Sequence, residues 1–157
     1  MHVVVVGGSA SNVGKTTLAA HFVSCSSRRG RVVAMKVSVH EKPTEMRVLV
    51  LQPGEAGHRK DSDRFVEAGA SAVIWVTVQR PDVRRGLAAG LREARRRRPD
   101  TLVVESTSAG IEMRSEIDSY FVAGDGDWKP WAYLHRNRAH HVLTSADVHR
   151  RTQLTAL

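Results

Sequence analysis

A single cysteine, Cys25, is all the thiol that this 157-residue chain holds. It excludes an internal disulfide and a thiolate metal cluster built within one chain. Aromatic residues make up only 5% of the sequence, so aliphatic side chains must build most of the core. No apolar run approaches the roughly 20 residues that a helix needs to cross a bilayer, so no membrane association is expected. The start, Met1-His2-Val3, lacks the basic stretch and apolar segment of a secretory signal. Cytoplasmic residence is the expectation.

Apolar residues amount to 41%, enough for one folded domain spanning 1–157. The net charge of +8 suits phosphate-rich partners, nucleotides and nucleic acids alike. It equally suits plain solubility, because five of the arginines (Arg92, Arg95, Arg96, Arg97 and Arg98) crowd the end of one expected helix. That run has no interleaved aromatics to stack on bases, so a solvated helix end is the preferred reading and nucleic acid ranks last among partners.

Strand and helix signals alternate along the chain. Val3–Val6 is a continuous β-branched run, as expected of a strand buried on both faces. Further strands are expected at Val32–Val37, Val73–Val78, Leu102–Glu105, Tyr120–Val122 and Val142–Leu143, with a short extra one possible within Met46–Leu51. Helices are expected over Lys15–Arg29, Asp61–Glu67, from Pro81-Asp82 to Pro99, and from Ser145 onward. Pro43, Pro53, Gly54 and Gly57 punctuate the segment 38–60, which is expected to be long and mobile, as functional loops often are. The pattern predicts an α/β fold, a single domain with a mostly parallel sheet covered by helices on both faces, and the P-loop reading of that fold rests on the segment between its first strand and first helix, Gly7 to Thr17.

Chemistry concentrates in Gly7-Gly8-Ser9-Ala10-Ser11-Asn12-Val13-Gly14-Lys15-Thr16-Thr17, between the first strand and the first helix. Small residues there let backbone N–H groups curl toward phosphate oxygens, and the helix N-terminus favours an anion. Gly8, Ser9, Ala10, Ser11, Asn12, Val13, Gly14, Lys15, Thr16 and Thr17 are therefore the expected nucleotide-binding residues. Lys15 would reach the β- and γ-phosphates, and Thr16 would offer its hydroxyl to Mg²⁺. Ser9 stands where the common pattern has glycine, and Gly8 lies one place earlier. An ordinary Gly/Ser turn before a helix is the competing explanation.

In an open parallel sheet, ligands bind beyond the carboxyl ends of the strands. Glu105 ends an apolar strand there and is expected to hold Mg²⁺ directly or through water, or to position a nucleophile. Its alternative is a salt bridge to Lys15 or Lys36. Lys36 would neutralise a transferring phosphoryl group, or else snorkel at its strand end. Asp61 and Asp63 would each cap the short helix or give a further Mg²⁺ contact.

These residues resemble a family. The Gly8-to-Gly14 spacing, with Lys36 and Glu105, is similar to the SIMIBI class of P-loop proteins. Gly8 to Thr16 resembles the phosphate loop of dethiobiotin synthetase, with five residues between the glycines and Val-Gly-Lys-Thr at the end. Lys60 to Ala70 is similar to a segment of the molybdopterin-guanine dinucleotide biosynthesis protein B family, and the resemblance covers about the first 110 residues. Both families commonly carry glycine after the strand-end glutamate, where Ser106 stands here. The second family has a histidine-rich stretch after the second-strand lysine, where this chain has only His40. The resemblance implies that Thr16 and Glu105 approach Mg²⁺, with Asp61 or Asp63 a weaker third, and it implies a homodimer.

Trp128, Trp131 and Tyr133 flank Lys129-Pro130 in an apparent loop, available to stack on a nucleobase or to cover the core. His135, His140, His141 and His149 are numerous, yet neighbours such as His140 and His141 on one strand point to opposite faces, a poor ligand geometry. No Asn-Lys-x-Asp motif reads guanine, which leaves ATP and GTP both open. The expected function is Mg²⁺-dependent transfer or hydrolysis of the γ-phosphoryl group, with a small molecule as acceptor. A nucleotide-dependent adaptor for a cofactor-assembly enzyme is the alternative.

Overall fold

A computed structural model describes residues 1–55, 60–113 and 117–153. Seven strands form one sheet in the order β3-β4-β2-β5-β1-β6-β7. They are β1 (His2–Gly8), β2 (Val32–His40), β3 (Arg47–Leu51), β4 (Ala72–Gln79), β5 (Thr101–Glu105), β6 (Asp118–Ala123) and β7 (His141–Thr144). Every pairing is parallel except β3 with β4. The helices are α1 (Lys15–Ser27), α2 (Lys60–Glu67), α3 (Val83–Arg96), α4 (Thr107–Glu112), α5 (Ala132–Arg136) and α6 (Ser145–Gln153).

The valine run of β1 explains the layering. Val3 and Val5 join one core with Met35, Ile74, Leu87 of α3 and Ala109 of α4. Val4 and Val6 join a second core with Leu18 and Val23 of α1, Phe65 of α2 and Val148 of α6. Side chains alternate across a strand, so a central strand must be apolar at every position to seal both cores. The sheet is thus mostly parallel and flanked by helices on both faces, as the alternating pattern predicts.

The strand order places β5 between β2 and β1. Helix α1 leaves the end of β1 on one face, and α4 leaves the end of β5 on the other. Divergence of neighbouring crossovers opens a crevice at the carboxyl ends of β1 and β5.

The stretch expected as a mobile segment carries ordered strand. β2 continues to His40, and β3 lies antiparallel on β4 as the sheet edge. Residues 56–59 of that stretch lie outside the described residues. Two helices were not foreseen, α4 and α5, and the expected loop of Trp128 to Tyr133 runs into α5 at Ala132. Among the described residues no helix is long and apolar enough to cross a membrane.

Candidate functional site

Register brings the charged residues together. Val6 of β1 pairs with Glu105 of β5, and Lys36 of β2 pairs with Glu105 from the other side. Residues in register on parallel strands project to one face. Val6 and Ala34 pack toward α1, so Lys36 and Glu105 emerge on that same side, above the last apolar layer. There the Thr16 hydroxyl donates to Glu105 Oε1 at 3.0 Å and Oε2 at 3.1 Å. Lys36 Nζ is ion-paired with Asp61 of α2 and lies 3.7 Å from Glu105 Oε2. Glu105 is only 5% exposed, so these partners compensate the cost of burying its charge.

The connection from β1 to α1 is held from outside the cleft. Asn12 and Gly14 adopt left-handed conformations, with φ of 58° and 101°. At Gly14 this region favours glycine, and the chain reverses there into α1. Ser9 is fully buried, and its Oγ accepts from the Gly124 N–H at 2.9 Å. The serine at the usual glycine position is therefore turned away from the cleft and ties the loop to the segment after β6. The Lys129 N–H donates to the Ser9 carbonyl at 3.0 Å. Ser145 of α6 donates to the Val13 carbonyl at 3.0 Å. Thr107 Oγ1 accepts from the Gly8 N–H at 3.1 Å and donates to the Gly8 carbonyl at 2.9 Å.

The start of α1 has no side-chain cap and no acidic residue in its first turn. Orphan N–H groups and the positive end of the helix dipole are thus left facing the crevice. Lys15 curls back so that its ammonium donates to the Ala10 carbonyl. Burial pushes the Lys15 pKa down, Glu105 opposes that, and Lys129 and Lys36 add to the lowering.

A cavity of about 560 Å³ spans this region. Of the ten expected nucleotide-binding residues, Ser11, Asn12, Gly14, Lys15, Thr16 and Thr17 line it. Gly8, Ser9, Ala10 and Val13 do not; they form the loop's inner support. Lys36, Asp61 and Glu105 line the cavity as well. Asp61 and Asp63, equivalent in the sequence, now differ, since Asp63 is outside the lining and buries Oδ1 without a partner.

Thr16, Glu105 and Asp61 offer hard oxygen donors suited to Mg²⁺. Among the described residues no group of three or more His, Cys, Asp or Glu has metal-holding geometry. A cation here would draw most of its ligands from water and from a bound anion, as Mg²⁺ with phosphates commonly does.

The segment of Trp128 to Tyr133 divides between the cavity and the core, and Lys129 joins the lining without having been foreseen there. Lys129 and Trp131 line the cavity, with Trp131 stacked under the Arg80 guanidinium at 3.3 Å from ring centre. Trp128 instead packs on Phe121 and Tyr133, and covers core. His135 is fully buried, and its Nε2 is 2.8 Å from Ser119 Oγ. A Cβ on Gly7 or on Gly110 would lie 2.1 Å from its ring, so the imidazole fills a slot that two glycines leave open. Burial lowers the His135 pKa to about 4, with the Thr107 backbone a weak counterweight. His140 and His141 are spent locally, the first accepting from the Ser119 N–H and the second stacking on Tyr120. The arginine run ends α3, where Arg96 and Arg97 both pair with Glu93.

No protein-family model, no curated protein and no solved structure matches this chain.

Proposed function

We propose that the cleft binds ATP or GTP with Mg²⁺, and that the protein transfers the γ-phosphoryl group to a small molecule or hydrolyses it, in small-molecule or cofactor biosynthesis. One observation carries the reading: an uncapped helix start bearing Lys15 and Thr16 faces a buried carboxylate, Glu105, to which the Thr16 hydroxyl is bonded. A bare turn before a helix would not require a lysine and a threonine at the start of α1 to meet a glutamate at the end of β5 in one cavity. The likeness of Gly8 to Thr16 to the SIMIBI phosphate loop supports the same assignment.

In this reading the N–H groups from Ser11 to Thr17 receive the phosphate oxygens. Lys15 exchanges the Ala10 carbonyl for phosphate. Thr16 and Glu105, with Asp61 behind Lys36, provide the protein oxygens near the cation. Mg²⁺, when bound, would neutralise phosphate charge and favour charge movement toward the leaving group. Lys36, held by Asp61 and Glu105, supplies positive charge at the rim where a transferring group would pass.

The test is calorimetric titration of wild type and Lys15→Ala with ATP and GTP, with and without Mg²⁺, together with phosphate release over a panel of acceptors. Mg²⁺-dependent binding lost in Lys15→Ala is expected. Absence of binding of both nucleotides at millimolar concentration overturns the reading. Binding without turnover for any acceptor, with capture of a cofactor-assembly enzyme strengthened by nucleotide, moves the assignment to an adaptor.

A further inference from the structure

Three lysines line this cavity: Lys15, Lys36 and Lys129. Their circumstances differ. Lys15 is bonded to a backbone carbonyl. Lys36 sits between two carboxylates, Asp61 and Glu105. Lys129 has no acidic partner among the described residues. It is close enough to Lys15 for the two charges to repel.

The placement of Lys129 is built in. Its own N–H is bonded to the Ser9 carbonyl, so its backbone is fixed to the β1–α1 loop. The next aromatic, Trp131, lies with its ring centre 6.0 Å from Lys129 Nζ and 3.3 Å from the Arg80 guanidinium. Arg80 follows β4 and Trp131 precedes α5, so their stack joins segments from opposite sides of the crevice. Lys129 is held between that stack and the loop. An ammonium so placed, with its charge not already offset by a carboxylate, interacts most with the ligand that brings the most negative charge.

We infer that Lys129 is a specificity-determining residue, through which the cleft prefers a nucleoside triphosphate to the corresponding diphosphate. The inference rests on the nucleotide reading above. The helix start serves phosphates common to both ligands, and Lys15 divides its charge between the shared β-phosphate and the γ-phosphate. The terminal phosphate adds negative charge that Lys36, shared with two acids, offsets only in part. Lys129 supplies that missing charge.

The experiment compares a non-hydrolysable ATP analogue with ADP, and the guanine pair likewise, each with Mg²⁺, by calorimetric titration. The proteins are wild type, Lys129→Gln, Lys129→Arg and Arg136→Gln, the last an exposed charge outside the cavity lining. Lys129→Gln should weaken the triphosphate about tenfold and the diphosphate less than about twofold. Lys129→Arg should restore most of the preference, and Arg136→Gln should leave both affinities unchanged. Equal weakening of the two ligands, or no weakening of either, overturns the inference while the nucleotide reading stands. Failure of wild type to bind either ligand overturns both. Melting temperatures of the variants exclude loss of fold as the cause.

Discussion

The Thr16 hydroxyl and the Glu105 carboxylate meet across 89 positions of sequence, with the hydroxyl donating to both carboxylate oxygens. A hydroxyl committed to a carboxylate is held in place, and the same carboxylate lies 3.7 Å from Lys36.

Removing the hydroxyl should therefore separate nucleotide affinity from cation dependence. In Thr16→Ala the gain in nucleotide affinity on adding Mg²⁺ should fall by about tenfold or more, whereas Thr16→Ser should keep it. Titrations at several Mg²⁺ concentrations provide the check. An unchanged Mg²⁺ dependence in Thr16→Ala would remove this residue from the cation's surroundings.

Glu105→Gln keeps the shape and an acceptor for Thr16 but removes the charge. Turnover should drop by about 10²-fold with only a small change in nucleotide affinity. Glu105→Leu is a harsher change, leaving the half-buried Lys36 with Asp61 alone. It should cost about 1–3 kcal/mol of stability, read by urea unfolding.

Lys15 gives a prediction of the opposite sign. Its pKa is lowered chiefly by burial, so its charge destabilises the folded state. The penalty is full below the lowered folded pKa and vanishes as pH rises toward the ordinary 10.5. Lys15→Met should abolish nucleotide binding and yet raise the melting temperature at pH 7, with the gain shrinking at alkaline pH. A variant less stable than wild type at pH 7 would contradict this.

His135 predicts acid sensitivity. Its folded pKa of about 4 lies below the ordinary 6.5 of a histidine, so the unfolded chain binds its proton first as pH falls. Its share of stability is complete above about 6.5 and is lost as pH drops toward 4, amounting to about 3 kcal/mol in all. Urea midpoints of wild type between these pH values should slope downward with acid. In His135→Gln that part of the slope should disappear.

The two glycines around that ring should couple to it energetically. Gly110→Ala places a methyl 2.1 Å from the imidazole and should cost about 3 kcal/mol or more. Combined with His135→Ala it should cost much less than the sum of the single changes. Additive losses would show that the contact is not the source of the strain.

Much of this was legible because the signals were local. Runs such as Val3–Val6 and Leu102–Val104 are apolar at every position, which only strands buried on both faces require. Lys36 and Glu105 were visible as charges closing such runs, and the loop between β1 and α1 as a cluster of small residues before Gly14-Lys15. What was not legible depends on distant partners. His135 has no apolar periodicity around it, and its meaning arises from Gly7 and Gly110 in other elements. Helix α4 is six residues with little amphipathic pattern, started by Ser106 accepting from the Ala109 N–H. Lys129 was flagged only for its aromatic neighbours, because nothing in the sequence says that its backbone returns to Ser9. The choice between Asp61 and Asp63 needed the helix phase, which places Asp61 alone on Lys36.

The reciprocal pair of bonds between Thr107 and Gly8 has a mechanical consequence. A side chain there takes over where strand pairing stops, so β1 and β5 remain clamped past the last residue of β5. Glu105 and the loop consequently travel as one rigid jaw. The other walls of the crevice are α2 with Asp61 and the segment with Lys129. The first is tied in by the Lys36 ion pair, by the Arg64 bond to the Thr17 hydroxyl and by Phe65 in the core beside α1, and the second by backbone bonds at Ser9 and the Gly124 bond to its hydroxyl. The connection that carries Lys15 is thereby braced from three sides, by β5, by α2 and by the segment that carries Lys129.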